Sequence, residues 1–97
     1  MPTIAGIKDK LRREKERLRR DFNVGAIGVF GSCARGEAGQ DSDIDILVEF
    51  AAPIGLFRFM ELEDHLGELL GVKVDLVSKK ALKPAIGRQI LTEIVQI

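Results

Sequence analysis

The stretch Ile27–Phe50, IGVFGSCARGEAGQDSDIDILVEF, decides how the chain is read. It opens as an apolar run, Ile27 to Phe30, and breaks at Gly31-Ser32. A glycine-punctuated loop follows, and the chain resumes as Ser42-Asp43-Ile44-Asp45-Ile46-Leu47-Val48. Asp43 and Asp45 therefore stand at i and i+2 in a segment otherwise apolar enough for a buried strand. On a strand such residues share a face, about 6–7 Å apart along the chain. Two carboxylates at that spacing repel by roughly 3 kcal/mol at an effective dielectric of about 20. Packing alone would place Val or Ile there. The expected compensation is a divalent cation, and hard ions such as Mg²⁺ take oxygen ligands of this kind.

Gly31-Ser32 supplies the other half of a phosphate site. A glycine at the end of a strand lets the backbone turn sharply and a phosphate come close. A short helix starting at Ser32 would point its first N–H groups at an anion, and the serine hydroxyl adds a donor. Arg35 follows three residues on, within reach of a phosphate or of one of the aspartates. An apolar strand, Gly-Ser, a linker and Asp-x-Asp in a second apolar strand make a cradle for a metal-bound nucleoside triphosphate.

Further along, Val72-Lys73-Val74-Asp75-Leu76-Val77 alternates as a third strand. Asp75 falls on its more polar face, opposite Val72, Val74 and Leu76. The ordered set Gly31-Ser32, Ala34-Arg35-Gly36, Asp43-Ile44-Asp45 and a later strand aspartate resembles the signature of the DNA polymerase β-type nucleotidyltransferase superfamily. The likeness runs from Val24 onward and is greatest to the small prokaryotic branch, the minimal nucleotidyltransferases (MNT), antitoxins encoded beside a HEPN-domain toxin. The resemblance implies metal and catalytic roles for Asp43, Asp45 and Asp75, and nucleotide contacts for Gly31, Ser32 and Arg35. It implies ATP as donor, Mg²⁺ as cofactor, and a tyrosine hydroxyl of a HEPN ribonuclease toxin as acceptor. The alternative it leaves open is an antitoxin that neutralises its toxin by complex formation alone.

The composition narrows the classes. Ninety-seven residues allow one domain with a modest core. Fifteen basic and fifteen acidic residues cancel, so no global field draws the chain to nucleic acid or membrane. No direct nucleic-acid binding is expected. The single Cys33 has no intramolecular disulfide partner, and no apolar run approaches the roughly 20 residues of a membrane-spanning helix. These features place the protein in the cytoplasm. Cys33 lies beside Gly-Ser, but the only histidine, His65, falls in a predicted helix. A small side chain filling space is the preferred reading over a catalytic thiol.

The rest of the chain supplies the frame. Ile4, Ile7, Leu11 and Leu18 form a narrow apolar stripe on a charged helix from Thr3 to about Arg20, with Pro2 and Thr3 at its start. Val24 to Phe30 is the first strand, and its glycines at 25 and 28 point to close approach by a neighbour. Glu37 to Asp41 reads as a polar loop, with turn or cap chemistry for Asp41. A core-packing helix is predicted from Ile54 to Leu70, opened by Pro53, with Leu56, Phe59, Met60, Glu63, Leu66, Leu69 and Leu70 on the packed face and Gly71 as C-cap. A short helix around Ile86–Leu91 and a terminal strand over 93–97 complete the order. Helix, strand, helical turn, strand, helix, strand predicts an α/β two-layer fold, with a small mixed central sheet of three or four strands packed by helices.

Overall fold

The computed structural model describes residues 3–36 and 43–97. The readings made for Pro2, the Glu37–Asp41 loop, Asp41 and Ser42 lie outside the described residues.

Thr3 caps the first helix, α1 (Ile4–Phe22): its hydroxyl accepts from the Gly6 N–H at 3.1 Å, satisfying one of the donors a helix start leaves orphaned. Ile7, Leu11, Leu18 and Phe22 are buried along one stripe. The helix runs two residues past its expected end and stops at Asn23, whose left-handed φ of 56° suits a C-cap asparagine.

β1 (Val24–Phe30) follows, then the one-turn helix α2 (Gly31–Ala34), β2 (Ile44–Phe50), α3 (Leu56–Leu70), β3 (Val74–Ser78), a 3-10 turn at Lys79–Ala81, α4 (Pro84–Glu93) and β4 (Val95–Gln96). The four strands lie in the order β3-β2-β1-β4. β1 is antiparallel to β2 and to β4, while β2 and β3 run parallel, joined through α3 as a β-α-β crossover needs. The sheet is mixed and packed by helices, as expected.

Ile44, Ile46 and Val48 of β2 are fully buried and join Ile27, Val29, Val74 and Leu76 in one core, closed by the apolar stripes of α1 and α3. Between those helices His65 stacks on Phe22 at 6.0 Å and faces Glu14 at 3.7 Å, half-buried. On the opposite sheet face, Leu91 and Ile94 come down over Ala26, Gly28 and Leu47. Gly28 allows this close approach: a Cβ would stand 2.6 Å from Ile94 Cδ1 and 3.1 Å from Val95 O. No helix among the described residues is long and apolar enough to cross a membrane.

Three expectations need correction. α3 starts at Leu56, not at Pro53, because residues 51–55 are irregular. Leu56 and Met60 are 71% and 52% exposed; the packed face is Leu62, Leu66 and Leu70, flanked by Phe59 and Leu69. α4 extends to Glu93, so that residue ends a helix instead of opening the last strand.

Candidate active site

β2 carries the centre of the site. Successive side chains alternate across the sheet, so with Ile44 and Ile46 in the core Asp45 is turned to the other face. In the parallel ladder Asp45 is paired directly with Asp75 of β3. Strands are about 4.8 Å apart, so two carboxylates sit side by side on one face. Asp75 is exposed, between buried Val74 and Leu76. Asp43 is exposed just ahead of β2.

The Asp45 carboxyl shows what this crowding does. Its pKa is raised above the ordinary 3.8, first by partial burial, then by the negative charges of Asp75 and Asp43. A hydrogen-bonding contact with Asp75 also favours its protonated form, while the Arg35 guanidinium pulls the other way. All four side chains thus act on one locus. Excess negative charge of this kind favours a proton or a cation.

Gly31 closes the site on the β1 side. Phe30, the last residue of β1, pairs with Asp45 across the antiparallel ladder. Gly31 turns the chain with a φ of +74°, and a Cβ there would fall on Asp45 Oδ2. Two independent constraints therefore demand glycine: the left-handed backbone and the approach of the carboxylate. Ser32 lies half-buried in α2. Cys33 belongs to the core, and its thiol pKa is raised by burial and then by the Asp45 charge. That is the opposite of what activates a nucleophilic thiol.

Arg35 ends α2, its N–H donating to Gly31 O at 3.2 Å. Its Nη1 donates to both oxygens of Glu93, at 3.2 and 3.1 Å. Sequence reasoning missed Glu93. The expected terminal strand over 93–97 hid the signal, which is that a carboxylate in the last turn of a helix opposes the macrodipole by about 0.3–1 kcal/mol. Such a residue invites a search for a cation.

The donor set suits a hard divalent ion, being all carboxylate oxygen with unrelieved mutual repulsion. Among the described residues no group of three or more His, Cys, Asp or Glu side chains stands close enough together to hold a metal ion. Mg²⁺ does not require one, since it is commonly held by one or two carboxylates together with water and substrate phosphates. The cleft beyond, between Leu47, Glu49, Lys79 and Ile94, offers only about 50 Å³ and is not a nucleotide pocket as it stands.

A four-stranded mixed sheet with an Asp-x-Asp strand, a neighbouring strand aspartate and a Gly-Ser turn defines a nucleotidyltransferase fold. The sequence profile of the Nucleotidyltransferase domain matches residues 11–97, and the chain belongs to that family. Within it the likeness is to the minimal branch. Protein adenylyltransferase MntA of Thermococcus cleftensis is 48% identical over 97 residues, covering all of this chain and 98% of that protein. A solved structure provisionally assigned as a minimal nucleotidyltransferase superposes with a TM-score of 0.83 at 36% identity, over 99% of this chain and 97% of that one. A toxin-antitoxin structure solved with AMP-PNP gives a TM-score of 0.76 at 29% identity, over 92% of this chain and 70% of that one.

Proposed function

We propose that residues 1–97 act as one minimal nucleotidyltransferase domain, a cytoplasmic antitoxin that transfers AMP from ATP to a tyrosine hydroxyl of a HEPN-domain toxin. The observation that carries the reading is the Asp45–Asp75 pairing beside the Gly31 turn. The relatives support the rest: one is called a protein adenylyltransferase, and another likeness is to a complex containing AMP-PNP. A further solved complex, a tri-AMPylated Shewanella oneidensis HEPN toxin with its MNT antitoxin, has a TM-score of 0.67 at 25% identity, over 93% of this chain and 70% of that one.

Asp43, Asp45 and Asp75 would hold Mg²⁺, which when bound neutralises charge on the triphosphate and on the attacking oxygen. Gly31 and Ser32 receive the β- and γ-phosphates, and Arg35 supplies positive charge beside them. Asp75, the more exposed member of the strand pair, takes the proton of the attacking hydroxyl. That oxygen bonds to the α-phosphorus, the bridging oxygen between the α- and β-phosphates departs with pyrophosphate, and AMP stays on the tyrosine. The chain forms no covalent intermediate of its own. Its contribution is alignment and charge placement, which suffices for phosphoryl-type transfer.

The test is transfer of label from α-labelled ATP to a co-expressed HEPN partner. Asp43→Ala combined with Asp45→Ala should abolish labelling, and unchanged labelling would defeat the proposal. A partner silenced while its intact mass shows no adenylyl group would instead mean inhibition by occlusion.

A further inference from the structure

Glu93 has no part in the chemistry above, yet it is held against it. Its side chain is 27% exposed and its oxygens converge on Arg35 Nη1. The two residues belong to elements rooted in the same short piece of β1. On one side Val29-Phe30 leads into Gly31 and α2, which ends at Arg35. On the other, Glu93 is followed by Ile94, seated against Gly28, and by Val95, paired with Val29. The ion pair therefore closes a tight ring: β1, α2, Arg35, Glu93, β4, and back to β1.

That ring constrains the guanidinium more than the backbone. α2 is already fixed by its connection to β1, and α4 by β4. An ion pair this exposed adds little to folding. What it removes is the freedom of a long arginine side chain, whose ordering must otherwise be met when a ligand binds. The charge so placed is felt at Asp45, the centre of the carboxylate cluster.

We propose that Glu93 is a positioning residue for triphosphate recognition: by gripping Arg35 from the end of α4, it presets the guanidinium beside the Gly31–Ser32 turn for the β- and γ-phosphates. The inference rests on the adenylyl-transfer reading, because it needs ATP as the ligand. It assigns part of the preference for ATP over AMP to a residue that touches neither.

Equilibrium binding of AMP-PNP and of AMP, each with Mg²⁺, to the purified full chain tests it without a toxin or turnover. Glu93→Gln should weaken AMP-PNP about 3–10-fold, the ordering cost of one long side chain, and leave AMP within about twofold. Glu93→Asp should recover part of the loss. Glu93→Gln added to Arg35→Ala should cost nothing further, because the effect runs through Arg35. AMP binding doubles as the folding control. Equal weakening of both nucleotides, no change, additive losses, or tighter AMP-PNP binding by Glu93→Gln would each overturn the proposal; the last would make Glu93 a competitor of the phosphates. If the unaltered chain binds AMP-PNP and only the Glu93 variants disagree, the transfer reading stands and this inference alone falls. A wild type that does not bind AMP-PNP would overturn both.

Discussion

The two faces of β2 make opposite uses of the same seven residues. Ile44, Ile46 and Val48 have no exposed surface, whereas Asp45 and Glu49 on the other face are reachable by solvent. Each buried aliphatic side chain contributes about 1.5–3 kcal/mol of burial. The carboxylate crowding on the far face costs roughly 3 kcal/mol for each close pair at an effective dielectric of about 20, and less because water screens these side chains. The apolar face wins by a clear margin, and that surplus lets the strand hold like charges together. A loop carrying the same aspartates would relieve the strain by moving apart. The strand cannot, because a one-residue slip would turn Ile46 outward and Asp45 into the core.

The contrast is sharpest when one face is changed and the other kept. Asp75→Asn should lower adenylyl transfer about 10²–10⁴-fold, the range for a positioned acid–base group, with thermal unfolding little changed. A modest loss of rate would show that Asp75 is only a bystander on an exposed strand face. Ile46→Ala, one residue from Asp45, should cost about 2–5 kcal/mol in urea unfolding. Its transfer rate under conditions where it stays folded should fall far less than that of Asp75→Asn. Were Ile46→Ala to match Asp75→Asn in lost activity, the division of labour between the faces would be false.

This division was largely readable in the chain, because it rests on a period of two. The alternation of Asp43 and Asp45 with Ile44 and Ile46 fixes which face each takes, and Asp75 between Val74 and Leu76 repeats the pattern. β1 was bounded to the residue, at Val24–Phe30, by Asn23 before it and Gly31 after it. Periodicity does not give register, however. That residue 75 lies beside residue 45, and not two places up the strand, follows from how α3 returns the chain. Nor does it say where the sheet beneath a helix ends. Leu56 precedes Phe59, the first residue of α3 to pack on the core, and Met60 points away from the Leu62-Leu66-Leu70 face, so both are exposed. The Arg35–Glu93 pair spans 58 positions, and no local pattern encodes a partner so distant.

The smallest expected effect probes the polar face through its proton. Asp45 binds a proton more tightly in the folded chain than at its ordinary value of 3.8. Folding therefore favours the neutral acid. The stability this group contributes is complete below the unfolded value and is lost as pH rises through the folded one. At neutral pH the protein carries the full penalty of the crowded charges. Asp45→Asn keeps the shape and removes the charge, so it should unfold at a higher temperature than wild type at pH 7. The difference should be below about 1 kcal/mol, because the carboxyl is only partly buried and water screens it. Near pH 3 the two proteins should converge, since the side chain at position 45 is then largely neutral in both. Millimolar Mg²⁺ should narrow the gap at pH 7 by stabilising wild type alone, as any ligand of the folded state does. An Asp45→Asn variant less stable than wild type at pH 7 would mean that Arg35, not the neighbouring carboxylates, dominates the field at residue 45. The polar face would then be a satisfied ion-pair surface, with no surplus charge left for a metal to relieve.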